Sequence, residues 1–151
     1  MSGPGTTPLF VDTGAFFAYF VENAPRHDRA RAVMDAIQSG ALRFRPIYTT
    51  SYVLSELTTL LLRKASHEIA TDTLERIQES PTVTVLHPDA SQFTACCDEF
   101  RRFDDQQISF VDHMTGTLAA EFDTDYIFAF DNDFRTLGFS LVPDDITLPE
   151  C

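Results

Sequence analysis

Five carboxylates stand where a chain of alternating strands and helices can use them together. Asp12 ends the apolar run Leu9-Phe10-Val11, and Asp131 and Asp133 follow Tyr126-Ile127-Phe128-Ala129-Phe130. Short apolar runs of this kind read as strands buried on both faces of a parallel sheet. Ligands of open α/β sheets bind beyond the carboxyl ends of such strands, so these acids fall on the functional rim. Glu56 lies within an amphipathic stretch, and Asp112 follows Ser109-Phe110-Val111 at the start of another. Two carboxylates about 4 Å apart repel by about 4 kcal/mol at a surface-like dielectric. A converging set therefore persists by sharing protons or by holding cations. All-oxygen donors without His or Cys spacing favour Mg²⁺ or Mn²⁺ over Zn²⁺.

Each acid also has an ordinary structural reading. With 23 acidic residues in the chain, one at any given position carries little weight. Asp12 fits the N-cap of the helix after it. Asp112 fits a capping box with Ser109. Asp131 and Asp133 fit an Asx-type turn, and Glu56 a solvated helix face. The combination is what points to a site.

The elements that must position these residues alternate. Leu9–Val11 is a strand, and a helix starts at once at Thr13 and runs to Phe20. A second helix spans Arg29–Ser39 and stops at Gly40. Pro46–Thr49 reads as the next strand, followed by a helix capped by Thr50 or Ser51 with its apolar stripe at Val53, Leu54, Leu57, Leu60 and Leu61. Ser66–Glu79 is amphipathic, Val83–Leu86 a strand, and Asp89 caps a helix through Phe100. Arg101–Gln107 reads as a polar loop, Ser109 opens a helix, and Phe139–Val142 is an edge strand after the one ending at Phe130. Alternation of this kind predicts a three-layer α/β sandwich with a mostly parallel sheet. Whether the first turn of the Ser109 helix rises to the rim or lies at the opposite edge is left open by the pattern. Residues 1–8 read as a flexible tail, 9–143 as one domain and 144–151 as a C-terminal tail.

At 151 residues and 44% hydrophobic content the chain suffices for one real core. No apolar run reaches the roughly 20 residues of a membrane span, and no signal-peptide pattern opens it. Three cysteines, two of them adjacent, make no disulfide framework, and the expectation is a cytoplasmic protein. The net charge is -12, with Lys64 the sole lysine. Such an acidic surface suits concentrated salt and, taken alone, repels nucleic acid. Arginines nevertheless cluster at Arg26, Arg29 and Arg31, at Arg43 and Arg45, beside Lys64 at Arg63, and at Arg101 and Arg102. They read either as an RNA path or as solvated counter-charges.

Four blocks together resemble the PIN domain: Val11-Asp12-Thr13, Ser55-Glu56-Leu57, Ser109-Phe110-Val111-Asp112-His113 and Phe130-Asp131-Asn132-Asp133-Phe134. The likeness is greatest to the VapC-type toxin ribonucleases of toxin–antitoxin pairs and covers Leu9 to Val142. It implies a sheet of order 3-2-1-4-5 and a divalent-metal-dependent endoribonuclease. It makes Asp12, Glu56, Asp112 and Asp131 the catalytic quartet. Asp12, Asp112, Asp131 and Asp133 would be the metal ligands, for Mg²⁺ or Mn²⁺, with Thr13 and Ser109 as accessory hydroxyls. Arg135, just past the last block, is placed as an RNA contact. The implied partners are RNA, a small antitoxin protein and a second copy of the chain in a homodimer, with no membrane. The aromatic run Phe16, Phe17, Tyr19 and Phe20 is compatible with a partner groove and equally with core. His113 points about 100° away from Asp112 around the helix and reads as a supporting residue. Cys96 and Cys97 read as buried small residues.

Other acid-based chemistries fit less well. Asp131-Asn132-Asp133 imitates the Asp-x-Asp of haloacid-dehalogenase phosphatases, but no lysine follows it. An EF-hand loop fails because Arg135 and Thr136 stand at its fifth and sixth positions. A receiver domain wants an acidic pair after its first strand, where Asp12-Thr13 stands. The remaining competitor is a catalytically inactive PIN-like RNA-binding or assembly module.

Overall fold

The computed structural model describes residues 5–149. Five strands form one sheet: β1 (Thr7–Val11), β2 (Phe44–Thr50), β3 (Val83–Leu86), β4 (Tyr126–Phe128) and β5 (Ser140–Val142). Their order is β3-β2-β1-β4-β5, and all four pairings are parallel. The helices are α1 (Thr13–Phe20), α2 (His27–Ser39), α3 (Ser51–Lys64), α4 (His67–Gln78), α5 (Ala90–Arg102), α6 (Phe110–Glu121) and the short α7 (Asp133–Thr136).

Strand alternation distributes the apolar residues to two cores. Leu9 and Val11 of β1, Phe128 of β4 and Val142 of β5 face a cluster shared with Phe16, Val33, Leu57 and Ile77 of α1–α4. Phe10, Ile127 and Leu141 face the other side, against Cys96, Met114, Leu118 and Phe134 of α5–α7. Both faces of the central strand are thus sealed, which is why β1 carries no polar residue between Pro8 and Asp12. The three-layer expectation holds, with the sheet wholly rather than mostly parallel.

Local capping chemistry sets where the helices begin. Thr50 accepts from Val53 N at 3.1 Å, Ser66 from Ile69 N at 3.1 Å, and Asp89 forms a full capping box with Gln92. Gly40 ends α2 at φ 85°, a left-handed conformation open to glycine without strain. One buried side chain fixes the end of β1: Thr49 Oγ1 donates to Val11 O at 3.0 Å, one residue before Asp12. Thr49→Val keeps the volume and strips that acceptor of its partner. It is expected to lower stability by about 1 kcal/mol, read as a drop of about 2–4 °C in melting temperature.

Several boundaries differ from the sequence expectation. β1 starts at Thr7, inside the expected tail, and Met1–Pro4 lie outside the described residues. α2 starts at His27 rather than Arg29. α5 continues through Arg101 and Arg102, which pair back to Asp98 and Glu99 on the same helix. β4 stops at Phe128, two residues early, because the chain turns toward Asp131 after one last bond from Ala129 N to Val142 O. The expected C-terminal tail is docked as far as it is described. Asp144 pairs with Arg29 at 2.7 Å, Asp145 accepts from Leu141 N at 2.7 Å, and Ile146 and Leu148 pack on the larger core. Glu150 and Cys151 lie outside the described residues.

Candidate metal centre

The sheet order reverses between β1 and β4, and the acids meet at that point on the carboxyl rim. Asp12 leaves β1, is tied to β4 by its backbone N–H to Phe128 O at 3.0 Å, and caps α1. Its Oδ2 accepts from Gly14 N at 3.4 Å, while Oδ1 is buried with no hydrogen-bond partner. Capping therefore uses only half of this carboxylate.

Asp112 sits in the first turn of α6. Ser109 caps that helix through Asp112 N at 3.1 Å, but the return bond from the Asp112 carboxylate to the Ser109 backbone is not made. That carboxylate, 7% exposed, turns into the cleft instead. Glu56, half-buried on α3, faces the same space. Asp131 does build the expected turn, its Oδ1 accepting from Asp133 N at 2.9 Å, and Asp133 opens α7 beside it.

Carboxylate oxygens of Asp12, Glu56 and Asp112 lie within 4.8 Å of one another, and so do those of Asp112, Asp131 and Asp133. Asp112 is the member common to both triads. All five acids line one open cleft of about 640 Å³, together with Thr13 and Ser109. The Thr13 hydroxyl oxygen is buried without a partner.

The electrostatics follow from this crowding. Burial pushes Asp12 up to about 7, against the opposing backbone N–H groups of Thr13 and Gly14 and with help from the charges of Glu56 and Asp131. Burial likewise pushes Asp112 up to about 8, reinforced by Asp12, Asp131, Glu56 and Asp133. Asp133 is raised too, first by burial and then by Asp131. An orphaned carboxylate oxygen and acids held above their ordinary range are what a hard divalent cation relieves, so the donor set fits such an ion.

Two other expectations meet the structure differently. Arg135 does not reach into the cleft: its Nε and Nη2 grip the Asp145 carboxylate at 3.1 and 2.7 Å, and Nη1 bonds Asn132. Three of its five N–H donors are engaged in these bonds, outside the residues that line the cleft. His113 is buried and packs against Phe100 and Phe103 with ring centroids 5.6 Å away. Burial lowers its pKa, and the ring borders a separate cavity of about 250 Å³ behind α6. The aromatic run on α1 divides: Phe16 is core, Phe17 lines the acid cleft, and Tyr19 and Phe20 line a groove of about 360 Å³ with Met34 and Arg76. Cys96 is fully buried and Cys97 half-buried. The cleft also takes in Arg26, Leu60 and Phe130, which the sequence offered as part of a basic cluster, of an apolar helix stripe and of the last acidic block, not as site residues.

Layers, strand order and the position of the acids define a PIN-type fold, and the chain belongs to the PIN-domain family, whose model matches residues 9–140. Among known proteins it is similar to VapC20 of Mycobacterium tuberculosis, named as a 23S rRNA-specific endonuclease. The two are 29% identical over 131 residues, which is 87% of this chain and 95% of that protein. The crystal structure of M. tuberculosis VapC20, described as a sarcin–ricin-loop-cleaving toxin, aligns with a TM-score of 0.79 at 28% identity over 87% of this chain and 96% of the other. VapBC2 of Rickettsia felis, solved bound to a promoter DNA fragment, aligns at a TM-score of 0.65 and 12% identity, over 89% and 97% of the two chains. FitAcB of Neisseria gonorrhoeae aligns at 0.60 and 15%, over 88% and 95%. The last two speak to the fold alone. No helix among the described residues is long and apolar enough to cross a membrane.

Proposed function

We propose that this protein is a divalent-metal-dependent endoribonuclease, the toxin of a toxin–antitoxin pair, cutting RNA at Asp12, Glu56, Asp112 and Asp131. The observation that carries it is the gathering of these acids in one cleft, in two triads that share Asp112, with Oδ1 of Asp12 buried and unpartnered. Likeness over nearly the whole chain to a protein named as a 23S rRNA endonuclease supports the choice of RNA.

Asp12, Asp112, Asp131 and Asp133 hold the Mg²⁺ or Mn²⁺, which when bound lowers the pKa of water toward neutrality and offsets charge on the scissile phosphate. Glu56, reaching in from α3, orients the attacking water, and the Thr13 and Ser109 hydroxyls bond within the same pocket. Hydrolysis adds water across one P–O bond, leaving a phosphate monoester and a free hydroxyl. No side-chain nucleophile takes part, in keeping with the burial of Cys96. The protein works in the cytoplasm with its RNA, pairs with a small antitoxin that blocks the acidic cleft, and forms a homodimer.

Purified protein is expected to cut an RNA carrying a 23S sarcin–ricin loop when Mn²⁺ is present and to stop when it is chelated. Asp12→Asn, which keeps the cap and removes the charge, is expected to leave the RNA intact. Uncut RNA with the wild-type protein, together with no effect of Mn²⁺ on melting, would favour an inactive RNA-binding or assembly module instead.

A further inference from the structure

The acid cleft contains one cation whose donors are not spoken for. Arg26, just before α2, lines the same cleft as the five carboxylates, yet among the described residues no acid lies within ion-pairing distance of it. Its guanidinium carbon instead lies 5.2 Å from the centroid of the Phe130 ring, and Phe130 is itself propped edge-on by Phe128. A ring face attracts a guanidinium through its quadrupole and accepts none of its N–H groups in ordinary hydrogen bonds. Among the described residues, the Phe130 ring is the contact recorded for this guanidinium.

We propose that Arg26 grips a phosphate of the bound RNA beside the scissile one, with Phe130 as its rigid seat. This inference rests on the ribonuclease reading and adds to it the residue that anchors substrate. A phosphodiester offers two anionic oxygens, which a guanidinium fork meets bidentately. The other basic residues are differently placed. Arg29 and Arg135 pair with Asp144 and Asp145 and are not among the residues that line the cleft. Arg43 and Arg45 border a cavity at the amino end of β2, the sheet edge opposite the acids. Among the described residues, Arg26 is the unpaired cation that borders the acid cleft. It also meets the objection raised by a net charge of -12, because attraction for RNA is needed only where the chain lies.

The rival role for Arg26 is a counter-charge that merely relieves the acids. Salt dependence separates the two. In the full chain carrying Asp12→Asn, so that the probe stays whole, a short single-stranded RNA is titrated with Mn²⁺ present at several salt concentrations. Adding Arg26→Ala is expected to weaken binding by about ten- to a hundredfold and to reduce the slope of log K against log salt by about 0.7, one released counter-ion on a single strand. Arg26→Lys should restore the slope while recovering only part of the affinity, since a point charge lacks the fork. In the otherwise wild-type chain, Arg26→Ala should raise KM far more than it lowers kcat, and the Mn²⁺-induced rise in melting temperature should persist. Unchanged affinity and slope, or an effect confined to metal-free melting, would overturn the assignment while leaving the ribonuclease intact. A wild-type protein that neither binds nor cuts RNA removes both.

Discussion

Asp112→Asn is expected to abolish RNA cleavage, lowering kcat/KM by about three orders of magnitude or more. Asp112 is the acid that both triads share, so the change takes a charged ligand from each of them at once. Its other job survives the substitution: Ser109 caps α6 through the backbone N–H of residue 112, which the side chain does not alter. Asparagine has nearly the same volume, so circular dichroism should report an unchanged fold. Asp133→Asn makes the informative comparison. It touches one triad only and lies farther out, so the loss should be smaller, about 10- to 100-fold, in line with weakened support of a metal rather than its removal. Calorimetric titration with Mn²⁺ checks the cause, since Asp112→Asn should show no binding where Asp133→Asn shows weakened binding. Retention of more than a tenth of the wild-type activity by Asp112→Asn would break the link between convergence and catalysis.

How much of this site could be read from the chain depends on which forces hold each residue. Asp12 and Asp131 were legible because an apolar run that stops at a carboxylate fixes both the strand and its exposed end. Asp112 was half legible. A helix that feeds a parallel strand runs antiparallel to it and so begins at the rim, but two helices, α5 and α6, separate β3 from β4, and the pattern alone does not assign their directions. The contact between α3 and α6 that brings Glu56 to Asp112 is tertiary packing with no periodic trace. The same holds for Arg135. Its position past Asp133 was correct, yet a bidentate pair ten residues along the chain decides where its donors go. That pairing, with the one from Arg29 to Asp144, also turned a polar, Pro-rich end into a docked segment. Charge pairs between distant segments leave no spacing signal, whereas apolar alternation and helix caps do.

The metal-free protein is expected to lose stability as the pH rises from 6.5 to about 8, the reverse of a protein held together by salt-bridged carboxylates. Burial and mutual repulsion raise Asp12 from 3.8 to about 7 and Asp112 from 3.8 to about 8. In the unfolded chain both are ionised well below this range, so across it the folded state binds more protons than the unfolded one and stability must fall with rising pH. His113 works the other way, being held neutral by burial, but its effect fades as the unfolded imidazole loses its proton above the ordinary value of 6.5, which is why the window starts there. The two carboxylates share their environment and titrate as a pair, so the combined loss is on the order of 2 kcal/mol, or about 5 °C in melting temperature for a domain of this size. Bound Mn²⁺ replaces the missing protons, so the saturated protein should show the slope flattened, and metal binding should release protons and tighten with pH. Asp131→Asn isolates the cause. Its charge raises both buried acids, while an amide oxygen keeps the turn bond from Asp133 N. It should therefore raise the metal-free melting temperature by about 2–4 °C at pH 8 and weaken stabilisation by Mn²⁺. Metal-free melting that climbs with pH over this window, or an Asp131→Asn variant that melts lower than its parent, would mean that the acids do not repel one another across a shared pocket.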